Sequence, residues 1–319
     1  MYIVTGGSGF IGSRLIQQLN KKKIENIILV DKKKNKFRDI KYDKFVYNHD
    51  FDTNIEKYLK KVKCIFHLGA NSKTTEKNLK SILVDNYSFS VKIIDKASQF
   101  NIPIIYASSA SVYGVREKSF DDKNVFLSPE NYYALTKSMV DYYVMDKLLR
   151  NKNSKIIGLR FFNVYGPGEE FKKEMSSVIF KMYKNFKKYG YISLFKGSHG
   201  YKNGNQKRDF IYVSDCINIM LWFRENFKSG IYNLGTGKAK TFNDVASIFL
   251  KYYGYKDIKK NIKYINFPKS IKNSYQSFTK AKINKLRNAG YKKEFFTLKD
   301  GIEDYLKYLE KKNWKNYFL

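Results

Sequence analysis

Four prolines and two cysteines in 319 residues leave few helix breakers and no basis for a disulfide scaffold. Cys64 and Cys216 stand far apart in apolar surroundings, so the economical reading is two packing thiols in a reduced, cytoplasmic protein without a metal site. No apolar run approaches the roughly eighteen residues a membrane helix needs, which argues against a membrane partner. The first strand pattern starts directly after Met1, so no room for a signal peptide is expected. Acids are also scarce: 29 Asp and Glu face 61 Lys and Arg, a formal net charge of +32. Such a balance fits a polyanion binder. The lysines are spread along the chain, however, with no basic stripe, and Asn, Ile, Tyr and Phe are abundant beside them. Compositional drift, as an AT-rich genome would enforce, therefore outweighs a nucleic-acid partner, and none is expected. The length suffices for one large or two modest domains.

What is present begins at the first strand pattern. Residues 2–5 form a short apolar run, followed by Gly6, Gly9 and Gly12, and Phe10 and Ile11 then open a helical pattern. Strand, glycine turn and helix are the context of a dinucleotide-binding turn. Gly6 permits the sharp turn, Gly9 lets backbone approach a pyrophosphate, and Gly12 lets helix and strand pack closely. A second apolar run, 27–30, ends at Asp31, nineteen residues beyond Gly12, where such folds hold the adenosine ribose. Asp31 alone indicates NAD, whereas Lys32, Lys33, Lys34 and Lys36 could neutralise the 2′-phosphate of NADP. Residue types alone leave both open.

Short strands are expected at 64–68, 102–107, 156–162 and 231–234, with helices at 77–100 and from 131 to about 149. This alternation predicts an α/β fold: a Rossmann-type doubly wound parallel sheet, with a smaller α/β substrate domain formed from C-terminal insertions. Residues 1–166 with 207–237 would bind the dinucleotide, and 167–206 with 238–319 mainly the substrate. A helix is expected to begin near Met175, 189–205 reads as an exposed loop, and Ser214 or Asp215 reads as a helix N-cap. Leu68, Gly69, Ala70, Asn71 and Ser72, at a strand's carboxyl end, would let a cofactor lie across the sheet edge. Tyr133 and Lys137 share a helix face. An ammonium beside the phenol would lower the tyrosine pKa, and a hydroxyl such as Ser109 could bond the same substrate oxygen. That trio can move a proton at a carbinol while a nicotinamide takes the hydride.

Five segments, in order, resemble the extended short-chain dehydrogenase/reductase family that acts on nucleotide sugars. They are Thr5-Gly6-Gly7-Ser8-Gly9-Phe10-Ile11-Gly12, Ser108-Ser109-Ala110-Ser111-Val112-Tyr113-Gly114, Tyr133-x-x-x-Lys137, Asn163-Val164-Tyr165-Gly166-Pro167 and Arg208-Asp209-Phe210-Ile211-Tyr212-Val213. The resemblance spans the whole chain. It is closest to the branch that epimerises ADP-activated heptoses at carbon 6 for lipopolysaccharide core synthesis. That rests on Ser72-Lys73-Thr74-Thr75-Glu76, Leu194-Phe195-Lys196-Gly197-Ser198, Tyr275-Gln276-Ser277-Phe278-Thr279 and Lys172.

The resemblance implies NADP and a nucleotide-sugar substrate whose carbinol is oxidised, turned, and reduced on its other face. Tyr133 and Lys172 would be the two acid/bases, Lys137 would tune Tyr133 and hold the nicotinamide ribose, and Ser109 would bond the reacting oxygen. Phe10, Ile11, Asp31, Lys32, Lys36, Leu68, Asn71, Asn86, Val164 and Lys172 take the places of cofactor contacts. Asn163, Glu174, Lys181, Phe195, Lys196, Gly197, Ser198, Arg208 and Tyr275 take those of substrate contacts. The chain departs from the pattern at Leu68 (usually an acid), Asn71 (Cys), Glu174 (Ser) and Lys181 (His). A carboxylate at 174 could repel a diphosphate. Family members assemble, so a homo-oligomer is implied, with a pentamer among the expected forms. An NAD-dependent UDP-hexose 4-epimerase is the nearest alternative, and a non-enzymatic RNA-binding or nucleotide-sensing protein a more distant one.

Overall fold

The computed structural model describes residues 1–34, 39–115, 120–267 and 275–311. Along the chain, β1 (Tyr2–Thr5), α1 (Phe10–Lys21), β2 (Ile27–Asp31), β3 (Lys44–Tyr47), α2 (Asn48–Thr53), α3 (Ile55–Leu59) and β4 (Cys64–His67) build the first half of a parallel sheet. Next come α4 (Leu79–Leu83), a π-helical turn (Val84–Ser88), α5 (Phe89–Gln99), β5 (Ile104–Ser109), β6 (Phe120–Asp121), α6 (Tyr132–Arg150) and β7 (Ile156–Phe161). The chain then leaves the sheet through β8 (Asn163–Tyr165), α7 (Val178–Tyr189), β9 (Ile192–Phe195), β10 (Lys207–Tyr212) and α8 (Val213–Glu225), and returns as β11 (Gly230–Leu234). Finally, β12 (Ala239–Thr241), α9 (Phe242–Tyr252), β13 (Ile262–Ile265) and β14 (Ala281–Lys282) precede helices Asn284–Ala289 and Leu298–Lys311.

The main sheet has seven strands in the order β11-β7-β5-β4-β1-β2-β3, all parallel. Its inner strands are largely apolar and buried because helices cover both faces. One core layer unites α1 and α8 through Leu15, Ile16, Leu19, Ile219 and Phe223. The other gathers Ile93, Ile94 and Ala97 of α5 with Val140 and Val144 of α6. A third core joins α7, β9, α9 and helix Leu298–Lys311 through Ile179, Leu194, Phe249 and Ile302. This is the expected Rossmann-type fold.

Local expectations differ in five places. Strand β3 was not anticipated. The helix expected over 77–100 starts at Leu79 and is interrupted by the π turn. Within the segment read as loop, Ile192–Phe195 pairs with β13 in parallel. The helix expected near Met175 begins at Val178, with Ser177 as its cap, because Glu170–Met175 is a separate 3₁₀ segment. Likewise α8 starts at Val213, so neither Ser214 nor Asp215 caps it; Asp215 instead accepts the Phe296 N–H at 2.9 Å.

Candidate active site

The carboxyl ends of β1, β2, β4, β5 and β7 open into one cavity of about 820 Å³. Ligands of doubly wound sheets bind at that edge. Gly6, Gly9, Phe10, Ile11 and Gly12 form its floor. Gly6 has φ +67°, and a Cβ at Gly12 would stand 2.2 Å from the Gly6 carbonyl oxygen, so the turn admits nothing larger. No side chain caps α1, which leaves its opening N–H groups available to an anion. The Ser8 hydroxyl and the Asn48 side-chain oxygen are buried with no hydrogen-bond partner among the described residues. Cradle, helix start and two orphaned polar atoms together fit a dinucleotide.

Asp31 and Lys32 line the cavity beyond β2. The Asp31 carboxylate accepts the N–H groups of Ser8 (2.9 Å) and Lys32 (2.7 Å), while burial raises its pKa against those bonds. The Lys32 ammonium is paired with Asp85 at 2.7 Å. Lys36 lies outside the described residues. Leu68, Gly69, Ala70, Asn71 and Ser72 form the wall after β4 as expected. Asn86 stands behind that wall instead of on it. It accepts the Asn71 N–H (2.7 Å) and donates to the Asn71 carbonyl and the Thr136 hydroxyl. Below it His67 is neutral, its pKa pushed down to about 3 by burial, and bridges Thr5 and Ser90.

Ser109, Tyr133, Lys137, Val164 and Lys172 all face the same cavity, although they come from four separate parts of the chain. The expected lowering of the Tyr133 pKa is not found: burial raises it, and only the Ser109 hydroxyl pulls it back. Lys137 donates a hydrogen bond to the Ala107 carbonyl at 2.7 Å, and burial lowers its own pKa to about 8. The Lys172 ammonium lies 5.5 Å from the centre of the Phe10 ring. Burial lowers its pKa, and Glu169 opposes that shift.

Apart from Ser109, the residues expected to hold substrate are not on this cavity. Phe195 and Tyr275 pack edge to face, and the Arg208 guanidinium lies 4.8 Å from the Tyr275 ring centre. Arg208 is buried, and among the described residues no carboxylate acts on it. Lys196, Gly197 and Ser198 line an open depression with Tyr201, Lys202 and Asn243. Asn163 is exposed and accepts the Thr279 hydroxyl at 3.2 Å; Glu174 and Lys181 are exposed. Sequence reasoning missed Tyr47, Asn48, His49 and Asp52, which extend the cavity beyond β3, and Asp85, Ser88 and Lys92 on the helix above it. The Asn-His-Asp run at 48–50 was their only signal.

The chain resembles several solved structures along nearly all of its length. ADP-L-glycero-D-manno-heptose-6-epimerase of Helicobacter pylori is 27% identical, with a TM-score of 0.80 over 97% of this chain and 96% of that one. UDP-N-acetylglucosamine 4-epimerase of Methanobrevibacter ruminantium is 22% identical, with a TM-score of 0.83 over 98% of both chains. UDP-glucose 4-epimerase of Thermotoga maritima is 22% identical, with a TM-score of 0.82 over 98% of this chain and 99% of that one. The pattern of the NAD dependent epimerase/dehydratase family matches residues 2–235. With its glycine turn, parallel sheet and Tyr133–Lys137 pair in that order, the chain belongs to the NAD dependent epimerase/dehydratase family, whose enzymes act with a nicotinamide dinucleotide.

Proposed function

We propose that the protein epimerises ADP-D-glycero-D-manno-heptose at carbon 6, giving the L-glycero form for lipopolysaccharide core synthesis. The observation that carries this reading is the placement of Lys172 on the same cavity as Tyr133 and Ser109. Inversion through a carbonyl exposes opposite faces of one carbon in turn, and one rigid side chain cannot serve both orientations. Tyr133 and Lys172 are the two proton carriers, and Ser109 bonds the reacting oxygen. Lys137, anchored on Ala107, holds the ribose next to the nicotinamide. A bound dinucleotide supplies the hydride acceptor and donor. Arg208, a buried cation with no carboxylate acting on it among the described residues, suits the substrate diphosphate. Exposed Glu174 need not oppose that contact.

The proposed cofactor is NADP, read by Lys32 beside Asp31, and the proposed setting is a cytoplasmic homo-oligomer. Among the described residues no helix is long and apolar enough to cross a membrane. Incubating the purified protein with ADP-D-glycero-D-manno-heptose and following carbon 6 by NMR tests the activity; absence of inversion sinks it. Release of NAD instead of NADP on denaturation moves the reading to a UDP-hexose 4-epimerase, which would not need Lys172.

A further inference from the structure

Lys172 is carried by an irregular segment between β8 and α7, and one side chain ties that segment at both ends. Glu169 is 1% exposed. Its carboxylate accepts the Gly166 N–H at 3.2 Å on the β8 side. On the α7 side it accepts the Ser177 N–H at 2.5 Å and the Ser177 hydroxyl at 2.7 Å. Its carbonyl takes the Lys172 N–H at 2.9 Å. Burial raises the Glu169 pKa, and the three donors aimed at its carboxylate, with the nearby Lys172, oppose that rise and favour the ionised form.

The other polar groups around Lys172 are accounted for by element. From α1, Arg14 bonds the Pro167 carbonyl at 2.7 Å and the Tyr308 hydroxyl at 3.0 Å. From helix Leu298–Lys311, buried Tyr305 stands beside Glu169, and burial together with that carboxylate raises its pKa well above the usual value. Within the segment, Glu170 accepts the Gly168 N–H at 3.0 Å, while Lys173 and Glu174 are exposed. Glu169 is the charge that acts on the Lys172 ammonium.

We propose that Glu169 is the positioning residue of Lys172: it fixes the segment that carries the amine and holds that amine protonated in the resting enzyme. Lys172 therefore enters the reaction as a proton donor, and it takes a proton back only after giving one up. This rests on the reading of Lys172 as a proton carrier.

The test titrates Lys172 directly, by limiting reductive methylation of the full chain across pH, read on the Lys172 peptide by mass spectrometry. In Glu169→Gln the labelling midpoint falls by about one pH unit, so about tenfold more of the amine is reactive at neutral pH. A Lys172 midpoint that stays put, or rises toward the ordinary lysine value of about 10.4, overturns the proposal, because a loosened and solvated segment gives that rise. If Glu169→Gln does not fold, Glu169→Asp keeps the charge at shorter reach. Its midpoint then matches wild type while turnover falls, and a midpoint at the ordinary lysine value overturns the proposal. Lys172→Met separates the two readings. Epimerisation that survives it removes Lys172 from catalysis and leaves the labelling result standing, whereas lost epimerisation with an unmoved Glu169→Gln midpoint removes Glu169 alone.

Discussion

Lys173 stands at φ +49° and ψ −122°, a conformation that side chains with a Cβ rarely adopt. It persists because its neighbours leave little choice. The Ser176 N–H (3.1 Å) and hydroxyl (2.7 Å) both bond the Lys173 carbonyl, and Glu169 holds Ser177. Such a residue costs about 1–3 kcal/mol. Replacing it with glycine removes most of that cost but adds back about 0.4–1 kcal/mol through the freer unfolded chain. The net gain for Lys173→Gly is about 1 kcal/mol, within a range of roughly 0.5–2. Unfolding entropy of about 2.1 cal/mol/K per residue, over 319 residues, converts this to a melting-temperature rise of about 1–3 °C. Calorimetry at fixed pH and scan rate reads it. Lys173→Ala is the control, since it deletes the same charge but keeps the Cβ, and it should show no rise. A glycine variant that melts no higher than the alanine variant refutes the claim of strain.

Gly12→Ala drives a Cβ against the Gly6 carbonyl oxygen at 2.2 Å, so calorimetric titration should find NAD(P) binding weakened at least a hundredfold; unchanged affinity would displace the cofactor from the turn. Asp141 bonds Arg160, Tyr106 and Ser108 with no solvent exposure, so Asp141→Asn leaves a buried guanidinium uncompensated at a cost of about 3–5 kcal/mol. Its melting temperature should fall by about 4–8 °C, and a drop under 1 °C would show the pair contributes nothing. Lys137 titrates near pH 8 when folded, below its ordinary value, so between these values the unfolded chain binds more protons and this group's contribution to stability rises with pH. The melting temperature of wild type relative to Lys137→Met should therefore climb between pH 8 and about 10.4, and a flat difference would contradict the buried, cavity-facing ammonium.

The sheet was legible where strands are buried on both faces, because Ile27–Asp31 is apolar up to its final acid and Ile156–Phe161 is apolar but for Gly158 and Arg160. β3 escaped notice since it lies at the edge: only Val46 of Lys44–Tyr47 is buried, and Lys44 and Tyr47 face solvent. With it went Asn48, His49 and Asp52. The π turn at Val84–Ser88 leaves no mark on hydrophobic spacing, so Asn86 was placed on the cavity when it supports the wall from behind. The trio of Ser109, Tyr133 and Lys137 was recoverable from residue types and order. Its electrostatics were not, because the Ala107 carbonyl that accepts the Lys137 hydrogen bond belongs to a strand thirty residues away.

The excursion between β7 and β11 bears on how the chain reaches this state. The two strands are sheet neighbours, yet β8, α7, β9, β10 and α8 intervene, bringing with them Lys172 and Arg208. Until that insertion closes, β7 is an open edge whose six residues are all buried in the finished protein, a template for pairing with other chains. Closure also delivers Asn233, which bonds Tyr113, the Phe120 carbonyl and the Lys282 carbonyl at once. Long-range pairing of this kind is slow. Damage to the lobe that carries Lys172 would thus expose a sheet edge as well as displace the amine.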